Sequence, residues 1–198
     1  MSEQSPAETV TIRKYLYFWI PVVIVILDRV TKYWAKHVLQ PKKSIPIIGD
    51  AVTFTYLENQ GAAWGVLKGR VNFFVILTAL LIAGFLLLIA RIPSERRYRP
   101  LLISFLCLVG GAFGNLYDRI FQGSVTDFIS FDIINFPVFN VADIFVTCSF
   151  IFLMIAVIFI YKEDELSFIP LFGNERKDKV SKGNEAKEQA NKDAEKQE

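Results

Sequence analysis

The chain has 198 residues, of which 53% are hydrophobic and 21% are charged, and its formal net charge is +2. The apolar share exceeds that of an ordinary soluble domain and is gathered into long uncharged runs, which argues against a water-soluble protein. The small net charge excludes long-range attraction to nucleic acid. One histidine and two cysteines make a metal centre or a disulfide framework hard to build, so we expect no metal and no cofactor.

Four apolar runs predict four membrane-spanning helices, at about residues 15–37, 71–90, 100–121 and 139–161. The first run also fits a signal peptide, because two basic residues precede a short apolar core. We favour a retained helix, since no small-x-small cleavage site follows and the run continues as DRVTKYW.

The segment between the first two helices predicts a β element. VTFTYLEN, residues 52–59, is rich in β-branched and aromatic residues and alternates threonine with apolar side chains. Pro41, Pro46 and Gly49 precede this segment, and Gly61 follows it. We therefore expect a small sheet at about residues 45–70 on the outer membrane surface, with Trp64 as an interfacial anchor.

The orientation in the membrane follows from the basic residues. RIPSERRYR, residues 91–99, contains four arginines and one glutamate and joins the second and third helices, so we expect it in the cytoplasm. Both termini then lie in the cytoplasm and the sheet lies outside. Residues 1–161 form the membrane domain. Residues 162–198 are dense in charged and amide residues and predict a disordered cytoplasmic tail.

Several polar residues at the helix ends have an ordinary structural explanation. Asp28 and Lys32 are four residues apart on one helix face, where an ion pair would neutralise both. Cys107 and Cys148 fit free, buried, small apolar side chains. His37, near the end of the first helix, fits an interfacial residue better than a catalyst.

GGAFGNLYDR, residues 110–119, is a stronger signal. Gly110 and Gly114 form a GxxxG pattern, which permits close helix packing in lipid. Asn115, Asp118 and Arg119 follow at i, i+3 and i+4, on one face at the outer end of the third helix. They fit either a polar network that ties helices together or part of a functional site.

Two further carboxylates lie close by in the sequence. Asp127, in VTDFI, has apolar neighbours that would raise its pKa, although a surface-loop aspartate would look the same. Asn140 and Asp143 open the last helix with the spacing of a capping box, a purely structural role that is also possible. Two carboxylates in contact share one proton, so one can act as a base on water while the other protonates a substrate. We take Asp143 as the base and Asp127 as the protonated partner.

Taken in order, DRVTK, NQGAAWG, GGAFGNLYDR, VTDF and FNVAD resemble the motifs of the bacterial lipoprotein signal peptidases, or signal peptidase II, over about residues 15–161. The resemblance implies an all-α membrane protein with four transmembrane helices and a small extracytoplasmic β-sheet, the cradle, between helices 1 and 2. It implies an aspartyl endopeptidase that removes the signal peptide of diacylglyceryl-modified prolipoproteins by cutting before the lipidated cysteine.

The resemblance also implies partners and residue roles. The partners are the prolipoprotein, the lipid bilayer and the inhibitor globomycin, and the location is the bacterial inner membrane with the site on the periplasmic side. Asp127 and Asp143 would be the catalytic pair. Residues that bind or orient the substrate would be Asn59, Gly61, Asn115, Arg119 and Asn140, and residues that give structural support would be Asp28, Lys32, Gly110, Asp118 and Ala142.

Two other classes fit part of the pattern. A small transporter or proton-coupled channel would use carboxylates and a lysine at membrane depth, but such folds are often built from repeats and this chain has none. A structural partner of other membrane proteins would use the GxxxG face for packing. That reading leaves the aligned Asn115, Asp118 and Arg119 unexplained.

Overall fold

The computed structural model of the chain describes residues 13–49, 51–61 and 69–169. The helices are α1 Trp19–Lys42, α2 Val71–Arg91, α3 Arg99–Gln122 and α4 Val141–Ile155, and a π-helical segment, Ala156–Ile160, extends α4. The strands are β1 Ser44–Ile48, β2 Val52–Asn59 and β3 Val125–Phe131. Short 3₁₀ turns precede α1 and α3 and follow β3.

The helices form a membrane bundle, as the sequence predicts. In the part of the chain that the structure describes, three helical stretches are long and apolar enough to cross a bilayer: Val71–Arg91, Arg96–Gln122 and Val141–Ile160. Their outward faces carry exposed apolar side chains, such as Leu80, which is 67% exposed. The fourth helix, α1, has 24 residues and carries charges, but Asp28 and Lys32 are buried inside the bundle rather than facing lipid.

Helix α3 lies at the centre and packs against the other three helices. The glycines of α3 allow this close packing. A Cβ atom on Gly110 would lie 2.9 Å from the Cα of Pro21 in α1, and one on Gly111 would lie 2.5 Å from the backbone oxygen of Ala142 in α4. The predicted close packing is therefore present, and it brings the polar outer end of α3 against both α1 and α4.

The predicted sheet is present, but it contains a third strand, β3, that lies outside the predicted segment. The order is β1-β2-β3, and both pairs are antiparallel. The first two strands lie between α1 and α2, as expected, whereas β3 comes from the segment between α3 and α4. VTDFI is thus a strand and not a surface loop, because its β-branched and apolar residues pair along the edge of β2, with Leu57 opposite Asp127.

Two boundaries differ from the predicted ones. Helix α1 continues through Pro41 to Lys42 and ends where Lys43 adopts a positive φ of 65°. Residues 162–169, which the sequence assigns to the charged tail, turn back onto the bundle. There Leu166 is buried beside the α2–α3 end, and the carboxylate of Glu165 accepts a hydrogen bond from Arg97 Nε at 2.9 Å. Trp64 and residues 170–198 lie outside the described residues.

Candidate active site

Two carboxylates from different parts of the chain line one pocket of about 490 Å³. Asp127 lies in β3 and is 2% exposed, and Asp143 lies in the first turn of α4. Strand pairing between β2 and β3 brings the end of β2 alongside, so that Asn59 Nδ2 donates to Asp127 Oδ2 at 2.9 Å. The sheet and the end of the helix bundle together form this pocket.

Asn140 connects the two carboxylates. Its Nδ2 donates to Asp127 Oδ1 at 2.6 Å, while its backbone N–H donates to Asp143 Oδ2 at 3.1 Å. Its Oδ1 accepts from the backbone N–H of Asp143, which completes a capping box at the start of α4. The structural reading of this motif is therefore correct, and the same contacts hold both acids at the pocket.

Asn115 connects Asp143 to the interior of the bundle. Its Nδ2 donates to Asp143 Oδ1 at 2.7 Å. Its Oδ1 accepts from Lys32 Nζ at 2.8 Å and from Asn140 Nδ2 at 3.1 Å. Each of the four carboxyl oxygens of Asp127 and Asp143 thus accepts one hydrogen bond, and the amides that donate them are oriented by further contacts.

A buried ion cluster supports this arrangement from behind. Lys32 Nζ lies 2.9 Å from Asp28 Oδ2 and 2.8 Å from Asp118 Oδ2, so with Asn115 its three N–H donors are all used. Arg29 also pairs with both carboxylates, and Asp28 and Asp118 are completely buried. The predicted Asp28–Lys32 pair is present. Arg29 was not singled out, although it follows Asp28 directly in DRVTK.

Arg119 borders the pocket without a carboxylate partner among the described residues. Its Nη1 and Nη2 lie 3.5 Å from the backbone oxygens of Asn115 and Gly61, which are long contacts. Its guanidinium lies over the ring of Phe74, 5.2 Å from the centroid. Gly61 N donates to Asn59 Oδ1 at 2.9 Å, which orients the Asn59 amide towards Asp127.

The surroundings of Asp127 favour its protonated form. Burial, followed by the negative charge of Asp143, raises the pKa of Asp127 to about 7. The hydrogen bonds from Asn59 and Asn140 act in the opposite direction, because they stabilise the ionised carboxylate. A carboxyl with such a pKa is partly protonated at neutral pH and can donate as well as accept a proton.

The remaining wall of the pocket is largely apolar and was not predicted. The end of β3 contributes Phe131, the segment between β3 and α4 contributes Phe136, Pro137, Val138 and Phe139, and α4 contributes Ile144, Thr147 and Cys148. The prediction that Cys148 is buried is wrong, because it is exposed on the face of α4 that lines the pocket; both cysteines are free, as expected. The residues of the run FDIINFPVF that line the pocket are all apolar, and its two polar residues, Asp132 and Asn135, do not line it, so nothing in the run marks it as part of a site.

Other predicted residues lie near the site or away from it. Gly110 and Ala142 are buried at the contacts of α3 with α1 and α4, and the Ala142 N–H donates to Asp28 Oδ1 at 3.3 Å. His37 is exposed and does not line the pocket, and the centroid of its ring lies 4.0 Å from that of Tyr33. Within the described ranges, no three His, Cys, Asp or Glu side chains converge to hold a metal ion.

Comparison with known proteins agrees with this architecture. The family model described as signal peptidase (SPase) II matches residues 20–159. A lipoprotein signal peptidase of Brevibacillus brevis is 40% identical over 131 residues, which cover 66% of this chain and 87% of the relative. That of Clostridium tetani is 43% identical over 148 residues, which cover 73% of this chain and 92% of the relative.

Two solved structures share the fold. One, described as a bacterial membrane enzyme structure by the in meso method at 1.9 Å resolution, is 29% identical with a TM-score of 0.65, and covers 78% of this chain and all of its own. The other, at 2.3 Å resolution, gives a TM-score of 0.64 at 29% identity and covers 76% of this chain and 92% of its own. The chain is a multi-pass protein of a bacterial membrane, and it belongs to the signal peptidase II family of peptidases.

Proposed function

We propose that this protein is an aspartic endopeptidase that removes the signal peptide from diacylglyceryl-modified prolipoproteins by cutting before the lipidated cysteine. The family and the relatives named lipoprotein signal peptidase support the substrate class. The observation that carries the aspartic chemistry is the linkage of Asp127 and Asp143 through one residue, Asn140, at the wall of one pocket.

The proposed reaction is direct attack by water. Asp143 is ionised, because it lies at the N-terminus of α4 and its carboxylate accepts two hydrogen bonds. It takes a proton from water as the new C–O bond forms at the scissile carbonyl. Asp127 donates its proton to the carbonyl oxygen, which would otherwise carry the developing negative charge. The proton on Asp143 then passes to the leaving nitrogen as the C–N bond breaks, and Asp127 regains the proton of the new hydroxyl. No covalent enzyme intermediate forms.

Groups around the acids have separate roles in this proposal. Arg119 has a guanidinium without a carboxylate partner among the described residues, so its donors are free to bind substrate carbonyl groups. Asn59, Asn115 and Asn140 hold the carboxyl groups in fixed orientations, which lowers the reorganisation that the reaction requires. Gly61 presents backbone beside Asn59 without a side chain in the way.

The apolar part of the pocket suits a substrate that is itself a membrane segment. Aromatic side chains of the segment after β3 and residues of α4 line the pocket together, and α4 carries exposed apolar side chains on its lipid side. We infer that the substrate enters laterally from the bilayer, since its signal helix and acyl chains stay in lipid. Globomycin, an inhibitor of this family, would compete for the same pocket.

The sidedness follows from the distribution of arginine. Residues 91–99 lie at the end of the bundle opposite to the sheet and contain four arginines. By the positive-inside rule this end faces the cytoplasm, so both termini are cytoplasmic and the acids open to the periplasmic side of the inner membrane.

The test is cleavage of a synthetic prolipoprotein peptide by the purified full-length protein. We expect a cut before the cysteine when it carries diacylglycerol, inhibition by globomycin, and no loss of rate with EDTA. A matched peptide with an unmodified cysteine controls for the lipid requirement. Equal cleavage of both peptides would contradict the substrate assignment, and inactivation by EDTA would contradict the two-carboxylate mechanism.

A further inference from the structure

We propose that a second pocket binds the phosphate-bearing headgroup of an anionic phospholipid. It lies between α1 and α3, at the same end of the bundle as the acids, and has a volume of about 490 Å³. Its lining includes Arg29, Lys32, Tyr33, Lys36, Tyr117 and Thr126. It shares no lining residue with the pocket of the two acids, so it is a separate site.

The charge of this pocket selects for an anion. Three of its lining residues are cationic and none is acidic, because Asp28 and Asp118 are completely buried behind Arg29 and Lys32. Two acids offset two of the cations, which leaves the charge of Lys36 unbalanced. Lys36 is exposed and has no ion-pair partner among the described residues.

Two donors that belong to residues lining the pocket make no hydrogen bond in the part of the chain that the structure describes. Arg29 Nε is buried without a hydrogen-bond partner, although the two terminal nitrogens of the same guanidinium are paired. Thr126, on β3, contributes a hydroxyl that makes none of the side-chain hydrogen bonds of the described residues. Phosphate oxygens are strong acceptors for a guanidinium, an ammonium group and a hydroxyl together.

The surroundings of the pocket favour a lipid over a free ion. On α1, Ile26 and Val30 are 55% and 60% exposed and lie one helical turn apart; on α3, Phe113 and Tyr117 repeat this spacing at 48% and 40%. Both pairs run from the pocket towards the middle of the bilayer, so acyl chains can lie along them while the headgroup stays at the cations. The diacylglyceryl group of the proposed substrate has no phosphate, so it would not satisfy this pocket.

Native mass spectrometry of the full chain in detergent tests the proposal, with phosphatidylglycerol and phosphatidylcholine of matched acyl chains as probes. We expect phosphatidylglycerol to bind more tightly. Lys36→Gln should weaken its binding about fivefold, the effect of one cation near an anionic headgroup. Lys42→Gln is the matched control, because Lys42 is exposed on the same helix but does not line the pocket. Thr126→Val keeps the side-chain shape and should also weaken binding.

Three outcomes would overturn the proposal. Equal binding of the two lipids would do so, and so would a loss of binding with Lys42→Gln as large as that with Lys36→Gln, which would indicate general surface charge. Displacement of phosphatidylglycerol by millimolar inorganic phosphate would make the pocket a phosphate-ion site instead. Because binding is measured without substrate, these results do not depend on the proposed peptidase activity.

Discussion

The hydrogen bond from Asn59 to Asp127 gives a quantitative prediction about pH dependence. If Asp127 must hold a proton to donate to the substrate, activity falls as the pH rises through its pKa of about 7. The Asn59 Nδ2–H bond, at 2.9 Å, favours the ionised carboxylate. Asn59→Ala removes that donor, so the pKa of Asp127 rises and the alkaline limb of the pH–rate profile moves to higher pH.

The expected shift of the alkaline midpoint follows from the strength of the Asn59–Asp127 hydrogen bond. A hydrogen bond to a charged group contributes about 1.5–3 kcal/mol, and one pH unit corresponds to about 1.36 kcal/mol. Asn59 is only half-buried, so we take the lower value and expect the limb to move up by about one pH unit. The assay is kcat/KM for the lipidated peptide between about pH 5 and pH 10, which reports the free enzyme.

The matched control for this experiment is Gln60→Ala. Gln60 is the next residue, carries the same amide group and is exposed, and among the described residues the hydrogen bonds to the Asp127 carboxyl come from Asn59 and Asn140 and not from Gln60. Its profile should keep the midpoint of the unaltered protein. An alkaline midpoint that stays unchanged or moves to lower pH in Asn59→Ala would contradict a role of this hydrogen bond in setting the pKa of Asp127, even when the maximal rate drops.

Three other predictions concern stability, measured by thermal unfolding in detergent. Gly111→Ala should destabilise the protein by about 1–3 kcal/mol, because its Cβ would meet the Ala142 backbone oxygen, whereas Gly84→Ala, which meets nothing within 4 Å, should not; equal effects would contradict the packing argument. Lys32→Met should lower the free energy of unfolding by about 3–5 kcal/mol, because it leaves the buried carboxylates of Asp28 and Asp118 with one cation fewer. Lys36→Met, one helical turn further along, should change it little. Unchanged stability of Lys32→Met would show that the buried ion cluster does not stabilise the fold. The pKa of Asp127 is higher in the folded protein than in the unfolded chain, so the unfolded chain loses this proton at lower pH. The free energy of unfolding should therefore fall by about 4 kcal/mol as the pH rises from about 4 to about 7. Asp127→Asn should remove that fall, and an unchanged pH dependence in this variant would contradict the raised pKa.

Much of the site was predictable because its residues occur in compact local patterns. The GxxxG spacing predicts close packing of α3, and the structure has backbone of α1 and α4 where a Cβ on Gly110 or Gly111 would lie. The capping-box spacing of Asn140 and Asp143 predicts a helix start, and that cap is formed. In each case the sequence signal lies within about one helical turn, so it can be recognised without knowing which distant part of the chain it will contact.

The features that were missed depend on distant partners. Residues 125–131 form strand β3 because they pair with the edge of β2, about seventy residues earlier in the chain. A short apolar segment alone does not indicate which distant strand it will pair with. Arg29 looks like an ordinary interfacial arginine in the sequence, and only the packing of α1 on α3 brings it to Asp118. The apolar wall formed by Phe131 and Phe139 likewise arises from a bridge between residues 129 and 139.

The most direct test of the catalytic pair is the turnover of four isosteric variants on the lipidated peptide, with folding checked by thermal unfolding. Asp127→Asn and Asp143→Asn should each abolish cleavage while the proteins remain folded. Asp132→Asn, an exposed aspartate in the segment that follows β3, should cleave normally, and Asp118→Asn should keep measurable turnover if it folds. Robust cleavage by either Asp127→Asn or Asp143→Asn, or loss of cleavage in a folded Asp118→Asn alone, would contradict the assignment of the two acids.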